Sequence, residues 1–178
     1  MSPVTCQVGP WTVECLPDDG GRIARLRFGE TDLLTSPPVD FRPPETDHGA
    51  YELRPVYGYD DCLPTVDSCP YPGTDWVIPD HGELCWLPFR VEETGRGLVC
   101  RTHSRHLPLG FERELVFNGN RLTWTFRVAN DGPHALVLQH VMHPLMPLHR
   151  VTALAMPAFA RCIDAFRAGE VLPLSSPA

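Results

Sequence analysis

Residues 121–130 alternate without a break: Leu122, Trp124, Phe126 and Val128 are apolar, and Arg121, Thr123, Thr125 and Arg127 between them are polar. A period of two sends the two sets to opposite faces of an extended chain, which defines a strand with one face buried. Residues 111–117 form a second β-rich run, joined to the first by Asn118-Gly119-Asn120. The Asn118-Gly119 pair tolerates the positive φ of a tight turn, so a hairpin with that pair at its tip is expected. Asp131-Gly132-Pro133 makes a further turn, and residues 135–143 are apolar enough for a third, more deeply buried strand. Together these runs read as an antiparallel meander.

The N-terminal third repeats the pattern. Trp11, Val13 and Cys15 alternate ahead of a turn at Asp18-Asp19-Gly20-Gly21, and Ala24, Leu26 and Phe28 then alternate with Arg25 and Arg27. More strands are expected at 84–92 and 98–103. Twenty prolines and fourteen glycines, scattered along the chain, interrupt it too often for long helices. The predicted fold class is all-β, an antiparallel β-sandwich, with a barrel as the second architecture. Residues 35–79, rich in Pro, Gly and Asp, read as a long loop region on the substrate side. The tail fits either a short helix opened by Pro157, with Phe159, Ile163 and Phe166 on one face and Gly169 closing it, or two short strands.

A chain of 178 residues suits one domain with a sizeable core. The formal charge is −7, and the fifteen basic residues are all arginines, dispersed singly among acids and apolar residues. Nothing here resembles the basic stripe that neutralises a run of phosphates, which argues against a nucleic-acid partner. No stretch approaches the roughly 18 apolar residues of a membrane span, and residues 1–10 lack the features of a secretory signal. A cytoplasmic protein without a membrane partner is expected. The seven cysteines are odd in number and form no C-x-x-C pair, which reads as reduced thiols. Cys62 and Cys69, the closest approach to paired ligands, have no neighbouring His pair, so neither a metal nor another cofactor is expected.

Three segments in order carry a resemblance to a known family. They are Gly58-Tyr59-Asp60-Asp61-Cys62-Leu63-Pro64, then Pro79-Asp80-His81-Gly82-Glu83 with Trp86 and Pro88 soon after, then His143-Pro144-Leu145. The set resembles the aldose 1-epimerase, or galactose mutarotase-like, family, over nearly all of this chain but only the N-terminal half or more of a typical member. The resemblance implies a truncated mutarotase-type sandwich, residues 1–178 forming one domain that is incomplete at its C-terminus. It also implies an isomerase that interconverts hexose anomers by acid/base ring opening without a cofactor. A shortened sandwich leaves strand edges exposed, from which self-association is expected.

By the same resemblance His143 matches the family's general acid and His81 the histidine that positions the sugar. The glutamate that serves the family as base has no counterpart among these residues. Two alternatives therefore stand beside the isomerase: a non-catalytic carbohydrate-binding domain and an inactive truncated member. Asp60 and Asp61 are candidates for hydrogen bonds to sugar hydroxyls, or for the base, against the plainer reading of solvated loop acids. Asp61 and Trp86 are taken as substrate-binding residues. Trp76, Tyr59 and Phe89 lie near the same segments and read mainly as core, and Glu83 is a third candidate base. His140 is three residues from His143 and points to the other face of a regular strand, so it is left out of the site.

Overall fold

The computed structural model describes residues 2–38, 51, 54–153, 162–163 and 171–172. These divide between two compact units, Met1–Pro147 and Leu148–Ala178. In the first unit two antiparallel sheets face each other. The larger has the order β1-β2-β3-β5-β12, formed by β1 (Val4–Val8), β2 (Trp11–Leu16), β3 (Arg22–Phe28), β5 (Tyr59–Cys62) and β12 (Val141–Pro144), with β4 (Thr31–Asp32) paired to β3. The smaller has the order β11-β10-β9-β8, formed by β8 (Arg90–Thr94), β9 (Gly97–His103), β10 (Leu109–Asn118) and β11 (Arg121–Asn130). A separate two-stranded ribbon joins β6 (Cys69–Pro70) to β7 (Val77–Ile78). The predicted all-β antiparallel sandwich is the observed fold class.

The alternation read from the sequence builds the core. In β2 Trp11, Val13 and Cys15 are buried, and in β10 Leu109, Phe111, Leu115 and Phe117 are buried, so the inward faces of the two sheets share one apolar layer. Trp11 joins them twice. Its ring stacks on Phe117 with centroids 5.1 Å apart, and its indole N–H donates to the carbonyl of Gly119 at 2.9 Å. Such aromatic contacts combine a large buried apolar area with a satisfied polar edge.

The hairpin forms as expected, with one shift. Asn118 pairs with Arg121, so the two central residues are Gly119 and Asn120, and the positive φ of 57° falls on Gly119. Glycine at the first central position is the requirement of a type II′ turn, not of the Asn-Gly pairing expected from sequence. Nothing lies within 4 Å of a Cβ built on Gly119. Gly119→Ala is therefore expected to cost about 1–2 kcal/mol, the left-handed backbone penalty alone. Urea denaturation with an unchanged m-value checks this.

Three sequence expectations are corrected. Leu84–Trp86 is a 3₁₀ turn and the following strand begins only at Arg90, past Pro88, which has no N–H to donate to a ladder. The stretch 35–79 is not all loop: β5 is an interior strand of the larger sheet, and its short length between Gly58 and Pro64 concealed it. Residues 135–143 do not continue the meander as a deeply buried strand. Val137 and Leu138 are exposed, and only Val141–Pro144 forms a strand, paired to β5 in the other sheet. In the second unit Cys162–Ile163 pairs with Val171–Leu172, as β13 and β14, in keeping with the short-strand reading of the tail. The alternative helix from Pro157 to Gly169 falls largely outside the described residues.

Candidate functional site

Tyr59, Asp60, Asp61 and Cys62 are all buried, and both aspartates have no exposed surface. Neighbours on a strand point to opposite faces, so Asp60 and Asp61 each gather a separate set of partners. They are not solvated loop acids.

On the first face β12 sets His143 directly across from Asp60. His143 Nδ1 lies 2.8 Å from Asp60 Oδ1, the Tyr51 hydroxyl donates to Oδ2 at 3.1 Å, and Arg22 Nη2 lies 3.0 Å from Oδ2. Arg22 is itself buried and donates to Asp19 Oδ2 at 3.0 Å and to the Tyr57 carbonyl at 2.7 Å, while Arg54 also donates to Asp19. Burial alone would raise the Asp60 carboxyl, but the His143 hydrogen bond and the Arg22 charge outweigh it and hold the group below the ordinary aspartate range. An ionised carboxylate only accepts hydrogen bonds, so the proton in this pair sits on His143 Nδ1, which leaves Nε2 as the working nitrogen. Burial first, and then the Asp60 charge, push the Tyr51 phenol well above its usual value, so Tyr51 stays a donor.

His81 joins this face from the turn before the 3₁₀ segment. Its ring stacks on Tyr51 with centroids 3.5 Å apart and 6° between planes, and lies 5.1 Å from the His143 ring. Its Nδ1 is 3.1 Å from Asp80 Oδ1, close enough for an ion pair though without the alignment of a hydrogen bond. His81 has a φ of 62°, in the left-handed region that non-glycine residues seldom adopt. The next residue, Gly82, has a φ of 72° and sits against the backbone of Leu63. Two successive left-handed residues aim the His81 ring at His143.

The other predicted positions have different surroundings. Asp61 faces the sandwich interior and receives Arg113 Nη1 at 2.5 Å, the Tyr59 hydroxyl at 2.5 Å and His140 Nε2 at 2.9 Å. His140 and His143 thus reach the two faces of β5, as their spacing required. Trp86 is buried with Tyr51 and Cys85, and the Arg54 guanidinium lies 4.6 Å from its ring centre. Glu83 is fully buried and holds the segment after β9, accepting from the Ser104 hydroxyl and from the Arg105 N–H at 3.3 Å, with His106 Nδ1 at 3.1 Å. Tyr59 and Phe89 are core residues, and Trp76 stacks on His106. A hollow of about 290 Å³ bordered by Thr102, His103, Phe111 and Val128 includes no member of the Asp60 cluster. Chemistry, not concavity, picks out the histidine pair.

No family model matches the chain, and no curated protein matches it in sequence. Solved structures do match. They include the Slr1438 protein of Synechocystis sp. PCC 6803 (TM-score 0.61, 16% identity, covering 80% of this chain and 53% of that one). A galactose mutarotase related enzyme of Lactobacillus acidophilus gives a TM-score of 0.62 at 15% identity, over 80% of this chain and 48% of that one. A candidate aldose 1-epimerase of Escherichia coli K12 gives 0.61 at 15% identity, over 82% of this chain and 52% of that one. The chain has the mutarotase-type fold.

This chain spans about half the length of each mutarotase-like structure it matches. Within that half, sequence reading missed Tyr51, Arg22 and Arg54. Arg22 carried no periodic signal, because a bulge in β3 breaks the alternation between Ile23 and Leu26, so that Ile23 faces the core and Arg22 lies on the Asp60 face. Tyr51 and Arg54 lie outside any periodic run and carry none.

The Asp60 pair predicts an acid dependence. The folded-state value of Asp60 lies below the unfolded value of about 3.9, so the stability it contributes is fully present above that pH and is lost as pH falls through the folded value. Urea midpoints measured across this range are expected to drop below about pH 4. Asp60→Asn is expected to flatten that slope, and an unaltered slope in the variant would contradict the pairing.

Proposed function

We propose that the chain carries a hexose site of the aldose 1-epimerase type, with His143 as general acid and His81 positioning the sugar. The observation that supports this reading is the buried Asp60 carboxylate behind His143 Nδ1, with His81 stacked beside it on Tyr51. A carboxylate at Nδ1 fixes the tautomer and stabilises the imidazolium, so Nε2–H can be given to a ring oxygen and later recovered.

In mutarotation a base removes the proton from O1, the O1 electrons form the C1 carbonyl, the C1–O5 bond breaks, and the acid protonates O5. Rotation about C1–C2 and the reverse steps close the ring on its other face. Both protons must be handled near neutral pH. Asp60, Asp61 and Glu83 are each fully buried and already hydrogen-bonded, so none is free to take the O1 proton. Asp61 supports the sheet instead of touching sugar, and Trp86 supports Tyr51 and Arg54. Among the described residues, Asp80, with a side chain 41% exposed, is a carboxylate beside His81 with solvent access. These engaged acids favour a second reading, a carbohydrate-binding domain with little turnover.

Titration calorimetry and polarimetry separate the readings. The expected result is hexose binding that weakens in His81→Ala, with weak or absent acceleration of anomer interconversion from fresh α-D-glucose or α-D-galactose. A large acceleration abolished by His143→Ala would establish the isomerase and place the base locally, to be tested by Asp80→Asn. Neither binding nor acceleration with aldohexoses and their 6-phosphates would overturn both readings.

A further inference from the structure

Cys62, His81 and His143 come from three separate segments, yet one ligand atom of each lies within 4.8 Å of the others. The strand geometry explains this. Cys62 is two residues from Asp60 and so shares its face of β5, the face on which β12 sets His143. The left-handed turn at His81 and Gly82 is tied to the adjoining Leu63 by the Glu83 N–H, which donates to the Leu63 carbonyl at 2.9 Å.

We propose that Cys62, His81 and His143 form a three-ligand site for a thiophilic divalent cation, Zn²⁺ foremost, with a fourth position left for water. One thiolate and two imidazoles are a donor set that suits Zn²⁺, and three protein ligands with an open position is a recognised zinc geometry. Zn–S of about 2.3 Å and Zn–N of about 2.0–2.1 Å place tetrahedral ligand atoms roughly 3.3–3.6 Å apart, so separations of up to 4.8 Å must close by at most about 1.5 Å. The outer shell is also present. His143 Nδ1 is hydrogen-bonded to Asp60, the support that ligating histidines ordinarily have, and Asp80 Oδ1 lies 3.1 Å from His81 Nδ1, which leaves Nε2 of each ring for the metal. As the Zn–S bond forms, the Cys62 thiol releases its proton to solvent. The metal site stands apart from the mutarotase reading. Where that reading holds, a cation on His143 occupies the nitrogen that protonates O5, so Zn²⁺ inhibits turnover.

The test is a titration of the full chain with Co²⁺, read as thiolate-to-cobalt charge transfer in the near ultraviolet and tetrahedral ligand-field bands in the visible. The expected result is saturation at one equivalent, reversed by Zn²⁺. Cys62→Ser abolishes the charge-transfer band, and Cys69→Ser retains it. His81→Asn, a residue that tolerates the left-handed backbone, weakens Co²⁺ by at least the roughly 10–100-fold that loss of an outer-shell partner costs. His81→Asn also keeps the test open if Cys62→Ser does not fold. A charge-transfer band that survives Cys62→Ser, unchanged affinity in His81→Asn, or no saturable band in the wild type overturns the proposal. Since no sugar enters this experiment, its failure leaves the mutarotase reading intact, and absent turnover leaves the metal site intact.

Discussion

Replacing Arg113 by methionine is expected to destabilise the fold by about 3–5 kcal/mol, the usual cost of removing one partner from a buried ion pair. Arg113 is fully buried on the inward face of β10. Burial opposes its charge, but Asp61, 2.5 Å away, more than restores it and raises the guanidinium above its ordinary value. The same group donates to the Gly21 carbonyl and packs over the rings of Tyr59 and Phe89. Methionine approximates the volume but leaves the Asp61 carboxylate with only Tyr59 and His140 in a dry interior. Urea denaturation measures the loss. The double variant Arg113→Met with Asp61→Asn is expected to lose less than the sum of the two single changes, since the second removes the charge that the first strands. A wild-type midpoint in Arg113→Met would contradict this account of the sandwich interior.

Gly82→Ala has the second largest expected effect, and it joins stability to the site. A Cβ at Gly82 would lie 2.2 Å from the Leu63 carbonyl oxygen and 2.5 Å from its carbon, so the backbone itself must move. With the left-handed φ added, the expected cost is about 2–4 kcal/mol, against the strain alone at Gly119. The displacement falls on His81, its immediate neighbour. Gly82→Ala is therefore expected to lower the urea midpoint and to weaken hexose binding in calorimetry, whereas Gly119→Ala lowers the midpoint slightly and leaves binding unchanged.

The parts of the fold legible in the sequence are those set by local periodicity. β2, β3, β10 and β11 follow from alternation, and the hairpin follows from glycine beside asparagine, although the turn chemistry selects Gly119-Asn120 and not Asn118-Gly119 as the central pair. β5 was hidden because two of its four residues are aspartates, which read as surface loop unless their buried partners are known. Of those partners, Arg113 sits on inward parity in β10, so an arginine among buried apolar neighbours was the available clue to Asp61, whereas a bulge in β3 concealed the face that Arg22 takes. β12 was legible only as the end of the apolar run 135–143: its pairing with β5 joins residues about eighty positions apart, and only the His140 and His143 spacing hinted that two faces were being served. His81 and His143 were named through a family resemblance, while the support behind them, Asp60, Tyr51 and Arg54, comes from tertiary contacts that no spacing encodes. The proximity of Cys62 to His81 and His143 was not legible either, because the two histidines are distant from it in sequence.

The most direct test of the central claim, that His81 and His143 together face a hexose, is an NMR titration of ¹⁵N-histidine-labelled protein with D-galactose and D-glucose. The expected result is saturable, concerted movement of the His81 and His143 ring signals, with the exposed His134 unmoved. The His143 change should be centred on Nε2, since Nδ1 is committed to Asp60. Ring signals of His81 and His143 that stay fixed while sugar is raised, or shifts confined to His103 beside the Thr102 and Val128 hollow, would contradict the assignment of the site.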